Sequence, residues 1–324
     1  MCIRDRITSA PAPGQTREPM PVRGFVEGEL KGRIPLARPE EFTASASIAS
    51  LEIRPSSDQI LDTQIDPSDL TLRNAGAIHI AADRNGVRLE AAKFTARDTD
   101  VTLAGSYAFN SRAPWDLHLT GAINLAVAGS FRPDLQASGT ATLDATLRGP
   151  ADDPQLSGRM TIANGSLFLK DVPNGIADAS GTVYFERNRA NIEKITGHTG
   201  SGTFELSGFV AFGNELNFRL QGKAASVRVR YPEGVSTLLD ADLALVGSPA
   251  RSLLSGTLTI ARSGFNTKTD MAAVVAQSGN PLPLIATDNE LLRNMQFDVR
   301  VRTTPNATLV SQYTQEVQLS LIHI

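Results

Sequence analysis

The residue types that most often hold metals or move protons are sparse in this chain. There are four histidines (His79, His118, His198 and His323) and a single cysteine, Cys2. No histidine lies within metal-ligand spacing of another or of the cysteine. In "AIHIAAD" and "WDLHLTG" the histidines alternate with apolar neighbours, so His79 and His118 belong to a polar face. Carboxylates come nearest to a site. Asp152 and Asp153 sit in a proline-flanked turn, and Asp98 and Asp100 flank a strand start. Either pair could hold calcium weakly, but ordinary turn chemistry accounts better for both. No nucleophile elbow, phosphate loop or dinucleotide fingerprint occurs. Asn164-Gly165-Ser166 and Asn306-Ala307-Thr308 fit the glycosylation sequon, a pattern short enough to arise by chance. We assign no catalytic residue, no metal site and no cofactor. Any chemistry must reside in an apolar surface.

That surface is written with a period of two. "DLTLRN" places Leu70 and Leu72 on one face, and "DVTLAGSYAF" does the same with Val101, Leu103, Tyr107 and Phe109. "GRMTIANG", "GTVYFERN", "GTFELSGFVAF", "LNFRLQG", "SVRVR" and "GTLTIARSG" follow the same rule. Each predicts a strand with one apolar face. Turn residues between them, such as Asp83-Arg84-Asn85-Gly86 and Gly213-Asn214, predict hairpins and mostly antiparallel neighbours. Only Thr269 to Gly279 and Asp288 to Met295 read as helical, the second opening on an Asp288 cap.

The pattern repeats. Asp83 to Phe109 aligns without gaps to Glu186 to Phe212, and Leu156 to Ile162 matches Leu254 to Ile260. A unit near a hundred residues is too long for a single solenoid rung of about 20–50. It fits a sheet extended by blocks of strands.

Bulk properties exclude several classes. Net charge is −3, and no run of Lys or Arg exceeds two residues, so a nucleic-acid partner is not expected. One Trp and four Tyr are too few for the aromatic girdles of a membrane barrel. No apolar run approaches the ~20 residues of a spanning helix. The opening "MCIRDR" and the closing "LSLIHI" resemble translated adapter sequence, so 1–22 and 321–324 are expected to be non-native and the chain an internal fragment.

Three stretches, "LSG-x-(M/L)-TIA", "ASGTVYFERNRANIEKITGHTGSGTFELSG" and "NMQFDVRVRTTPNATLV", resemble the repeat region of the TamB family. More distantly they are similar to AsmA-like proteins. The resemblance covers about Gly24 to Gln318. It implies an all-β fold: an elongated, curled antiparallel sheet forming a taco-shaped groove with an apolar interior. The expected organisation is groove over 23–264, loop and short helix over 265–294, and further groove strands over 295–320. The resemblance also implies a periplasmic conduit that shields phospholipid acyl chains and assists outer-membrane protein assembly. Its partners would be an outer-membrane barrel of the assembly-factor family and the inner membrane, reached through segments outside this chain. The expected groove lining is Leu70, Leu72, Val101, Leu103, Phe109, Met160, Ile162, Val183, Phe185, Phe204, Leu206, Phe212, Phe218, Leu220, Leu243, Leu245, Leu258, Ile260, Phe297 and Val299. The competing reading is a structural or adhesive β-repeat protein, or a scaffold that receives client strands.

Overall fold

Alternating apolar and polar residues form strands because successive side chains of an extended backbone point to opposite faces. In a computed structural model this holds almost throughout. The structure describes 2–7, 22–55, 70–130, 135–169, 172, 174–213, 215–231, 234–265, 290–311 and 314–318. The strands are β1 (Cys2–Ile7), β2 (Val22–Arg33), β3 (Thr43–Pro55), β4 (Leu72–Asn74), β5 (Ile78–Asp83), β6 (Gly86–Ala96), β7 (Thr99–Ala108), β8 (Trp115–Asn124) and β9 (Leu135–Gly149). They continue as β10 (Gln155–Leu169), β11 (Ile176–Arg187), β12 (Arg189–Thr199), β13 (Gly202–Ala211), β14 (Asn217–Val229), β15 (Val235–Ser248), β16 (Arg251–Phe265), β17 (Met295–Ser311) and β18 (Thr314–Gln318). One helical turn, α1 (Glu290–Arg293), precedes β17. The candidate helix at Thr269 to Gly279 lies outside the described residues.

The chain divides into two units, Met1–Gly165 with Tyr184–Asn188, and Ser166–Val183 with Arg189–Ile324. In the first unit, β1, β2 and β3 form an antiparallel ladder that β5 continues, short β4 lying beside β3 and β6. From β5 the ladder runs antiparallel through β6, β7 and β8 to β9. In the second unit β12 to β16 form an antiparallel meander. Then β17 joins β16 in parallel, and β18 folds back on β17 as a hairpin. The parallel pair departs from the hairpin rule. The chain leaves β16 at Phe265 and returns at Met295, which is long enough for the crossover a parallel pair requires.

The sequence repeat is a structural one. Strands β6 and β12 begin at Gly86 and Arg189, and β7 and β13 at Thr99 and Gly202, the same offset of 103. Each pair carries a register shift at the equivalent place, between Leu89 and Ala92 in β6 and between Ile192 and Ile195 in β12. Such β-bulges bend the strand that carries them.

Three sequence expectations change. Leu70 stands in a helical turn ahead of β4 rather than alternating with Leu72 inside a strand. "LNFRLQG" and "SVRVR" are one strand, β14, interrupted by a bulge between Ala224 and Val227 that puts Ser226 at φ +56°. Phe109 and Phe212 fall one residue past the ends of β7 and β13.

An apolar face as the candidate functional site

Directly paired residues of neighbouring strands carry their side chains on the same face. The registers therefore show which residues meet. In the second unit one row reads Gly208, Leu220, Leu245, Leu254, Phe297 across β13 to β17. The next reads Leu206, Gly222, Leu243, Gly256, Val299, and the third Phe204, Ala224, Ala241, Leu258, Val301. Phe218 heads a fourth row, beside Val210 and Gly247. At ~4.8 Å per strand, five strands carry each row across about 19 Å. In the first unit the rows read Leu89, Gly105, Leu117, Leu147, then Ala92, Leu103, Leu119, Ala145, and then Phe94, Val101, Gly121, Leu143. On β10, half-buried Met160 and Ile162 alternate with exposed Arg159 and Thr161. On β11, buried Val183 and half-buried Phe185 alternate with exposed Tyr184 and Glu186. Ile260 lies opposite Leu239.

The other face is polar and carries the cross-strand ion pairs. Lys93 meets Asp100 at 2.8 Å, Arg148 meets Asp116 at 2.8 Å, and Lys194 meets Glu205 at 2.7 Å. His118 and His198 lie there, exposed, His118 with its Nδ1 3.0 Å from the Thr146 hydroxyl. Among the described residues no group of histidine, cysteine and carboxylate side chains is placed to hold a metal. Asp153, one of the two carboxylates in the proline-flanked turn, accepts a hydrogen bond from the Asn188 amide at 3.0 Å.

The apolar face is not sealed. Leu206, Leu220, Leu243, Leu245, Leu254 and Leu258 are all half-buried, although neighbouring strands flank each of them. No large side chain among the described residues is completely buried. In a sandwich the central residues of the inner face are closed off by the facing sheet. Here the leucines keep part of their surface, while Ala92, Val101, Ala145 and Phe218 of the same rows are buried, and at β17 Phe297 at 68% and Val301 at 58% are exposed. A cleft with a cavity volume of about 670 Å³ lies at the turn end of the first unit, lined from β2, β3, β5, β6 and β7 by residues that include Lys31, Ala44, Ala82, Val87 and Tyr107. Beside it the Tyr107 and Trp115 rings meet edge-on, 4.7 Å apart.

Glycine shapes the face. Leu-x-Gly recurs along the chain; after Leu103, Leu119, Leu147, Leu156, Leu206, Leu245 and Leu254 the glycine has φ between +124° and +150°, whereas Gly32 and Gly222, after Leu30 and Leu220, have open space where a Cβ would stand. At Gly208 a Cβ would overlap the carbonyl oxygen of Arg219 on the next strand. Only glycine combines this backbone with that approach.

The TamB C-terminal domain model matches 88–197 and again 191–322. The chain belongs to the TamB family. The two matched stretches of TamB domain start 103 residues apart, the offset that separates β6 from β12 and β7 from β13. Comparisons with curated proteins and with solved structures give no match. No helix among the described residues of this TamB-family chain is long and apolar enough to cross a membrane.

The rows also contain residues that strand-by-strand reading left out of the lining. Leu117, Leu119, Leu143, Leu147 and Leu254 occupy the same face as the named ones. The Leu-x-Gly signature finds Leu119, Leu147 and Leu254, and alternation with Leu119 and Ala145 finds Leu117 and Leu143.

Proposed function

We propose that this chain is a segment of a lipid conduit in the envelope of a Gram-negative bacterium, periplasmic and anchored in the inner membrane through a further part of the protein. Its apolar face would shield phospholipid acyl chains between the two membranes and so serve outer-membrane assembly. The reading rests on one observation: rows of leucine and phenylalanine run across five strands with none of the large side chains completely buried. Family membership supports the same reading, since TamB domains are structural and transport modules of the envelope.

The physics fits. Each methylene exposed to water costs about 0.8 kcal/mol, so a sixteen-carbon tail faces roughly 12 kcal/mol. A continuous apolar lining removes most of that cost along the path. Head groups can stay in water beyond the rims, so no specific polar pocket is required. The lining proposed is the sequence-derived set, now extended by the row neighbours and without Leu70, Phe109 and Phe212, which lie outside the strands.

The test is photo-crosslinking in cells from single positions of the chain. Probes at Leu206 and Leu258 should capture phospholipid, and probes at Thr203 and Glu205 should not. Capture from Thr203 and Glu205 instead would assign the wrong face, and native mass spectra of the purified chain free of lipid would remove the basis of the proposal.

A further inference from the structure

The strand registers place the residues that line the 670 Å³ cleft of the first unit. One polar row crosses it as Lys31, Ser45, Ala81, Arg88 and Ser106, on β2, β3, β5, β6 and β7. A second polar row, nearer the turns, reads Arg33, Thr43 and Asp83. Between the two, the apolar row contributes Ala44, Ala82, Val87 and Tyr107. Strands β3, β5 and β6 lie inside the ladder, each paired on both sides. Lys31 and Arg88 stand three strand spacings apart, about 14 Å. Only the short side chains of Ser45 and Ala81 lie between them in that row. Both cations have long stems and can close on an anion held above those two residues.

The charges of the lining are unbalanced. Three cations and one carboxylate leave a surplus of two positive charges, in a chain whose net charge is −3. The carboxylate is engaged, since Asp83 accepts from the backbone N–H of Asn85 and of Gly86. Lys31 is paired with Glu29 at 3.0 Å. Arg33 and Arg88, both exposed, have no ion-pair partner among the described residues. On the same face Lys93 is matched by Asp100 and Arg148 by Asp116, whereas Arg88 has Ala81 and Ser106 beside it. An uncommitted guanidinium offers two parallel N–H donors to two oxygens of one phosphate. The hydroxyls of Thr43, Ser45 and Ser106 are further donors in the same lining. The volume is that of a site for a small organic molecule rather than a bare ion, so the phosphate carries a substituent.

We propose that this cleft binds a phosphate ester, with Arg88 and Arg33 as its charged ligands and Lys31 as a third contact. Such an ester has two sources. One is a phospholipid head group, whose tails would pass onto the apolar row at Ala44, Ala82 and Val87; the other is a soluble organic phosphate. The site does not depend on the conduit reading, because a soluble ester satisfies it and the Leu206 and Leu258 probes of that reading lie in the other unit.

The test is isothermal titration of the full chain, in buffer free of phosphate, with two probes. Dihexanoyl phosphatidylglycerol, kept below its micelle concentration, carries tails, and glycerol 3-phosphate carries none. Arg33→Gln with Arg88→Gln should weaken binding about tenfold or more. Lys93→Gln with Arg148→Gln removes the same charge from the same face outside the cleft and should weaken it less than about twofold. Far-UV circular dichroism confirms that each variant folds. Lipid binding about tenfold tighter than glycerol 3-phosphate assigns the site to a head group, and equal affinities assign it to a soluble ester. A parent chain that binds neither probe, undiminished binding by Arg33→Gln with Arg88→Gln, or equal losses in the two double variants would each overturn the proposal.

Discussion

Leu206 on β13 lies directly opposite Gly222 on β14, and two residues along the ladder Gly208 lies opposite Leu220. The two glycines look equivalent in the sequence and differ in what holds them. Gly208 has φ +124° and no room for a Cβ, while Gly222 has nothing within 4 Å of the place a Cβ would occupy. Gly208→Ala should therefore cost about 1–3 kcal/mol. Gly222→Ala should change stability by less than about 1 kcal/mol and in the favourable direction, since it only narrows the unfolded ensemble. Urea denaturation of the two variants measures the difference, and equal losses would mean that backbone conformation is not what selects glycine at Gly208.

The open face predicts gentle truncation. Leu220 has Gly208 and Leu245 as its row neighbours and is still half-buried. Leu→Ala in a closed core costs about 2–5 kcal/mol, transfer and cavity terms together. A half-buried leucine leaves little cavity when truncated, so Leu220→Ala should cost about 1 kcal/mol. A loss above about 3 kcal/mol in equilibrium unfolding would place a second layer over this face.

Most of this architecture was legible because the alternation is strict. Val101 and Leu103, or Phe204 and Leu206, fall on the side their spacing predicts, and the repeat fixes β6 against β12 to the residue. What escaped was nonlocal. The bulge in β14 adds a residue at Ala225 and Ser226, which breaks the period and makes one strand read as two. Leu70 shares the spacing of Leu72, but a three-residue strand is too short for period to place its start. The parallel partner of β17 could not be read at all, because nothing in its alternation distinguishes a parallel neighbour from an antiparallel one. Leu117 and Leu254 were visible as apolar, but that they share rows with Leu147 and Phe297 is a property of register alone.

The turn between β5 and β6 should give the chain a pH-dependent term. The Asp83 carboxylate accepts hydrogen bonds from the backbone N–H of Asn85 at 2.7 Å and of Gly86 at 3.2 Å. The Asn85 bond, foremost, lowers its pKa below the ordinary 3.8. A lowered folded value means stability that is present above the unfolded pKa and lost as pH falls through the folded one. Melting temperature should thus fall below pH 3.8 more steeply in the parent chain than in Asp83→Asn, whose amide oxygen keeps the turn but does not titrate. Parallel curves for the two proteins would exclude this carboxylate as a source of acid sensitivity.

On the polar face the Arg189 guanidinium lies 3.4 Å from the centre of the Phe209 ring, joining the start of β12 to β13. A partly exposed contact of this kind is worth about 0.5–1 kcal/mol. A double-mutant cycle with Arg189→Gln and Phe209→Leu should return a coupling of that size. Because the attraction is to the ring quadrupole, Arg189→Lys should retain part of it. A coupling of zero would leave the guanidinium merely resting on the ring.

The bulge in β12 supplies the most demanding test of the repeat. Between Ile192, opposite Gly208, and Ile195, opposite Leu206, β12 uses one more residue than β13. Deleting Glu193 removes that extra residue and leaves both pairings intact, so Ile195, Gly197 and Thr199 keep their face. Deleting Thr196 instead shifts every later residue of β12 by one, sending the buried Gly197 position to the polar side and exposed His198 to the apolar one. The first deletion should fold with a loss of about 1–2 kcal/mol, and the second should lose the cooperative transition of the second unit. Since a bulge bends its strand, the first deletion should also reduce lipid capture from a probe at Leu206 without unfolding the chain. If the two deletions prove equally tolerated, the position of the bulge is incidental, and its recurrence 103 residues from the one in β6 has no mechanical meaning.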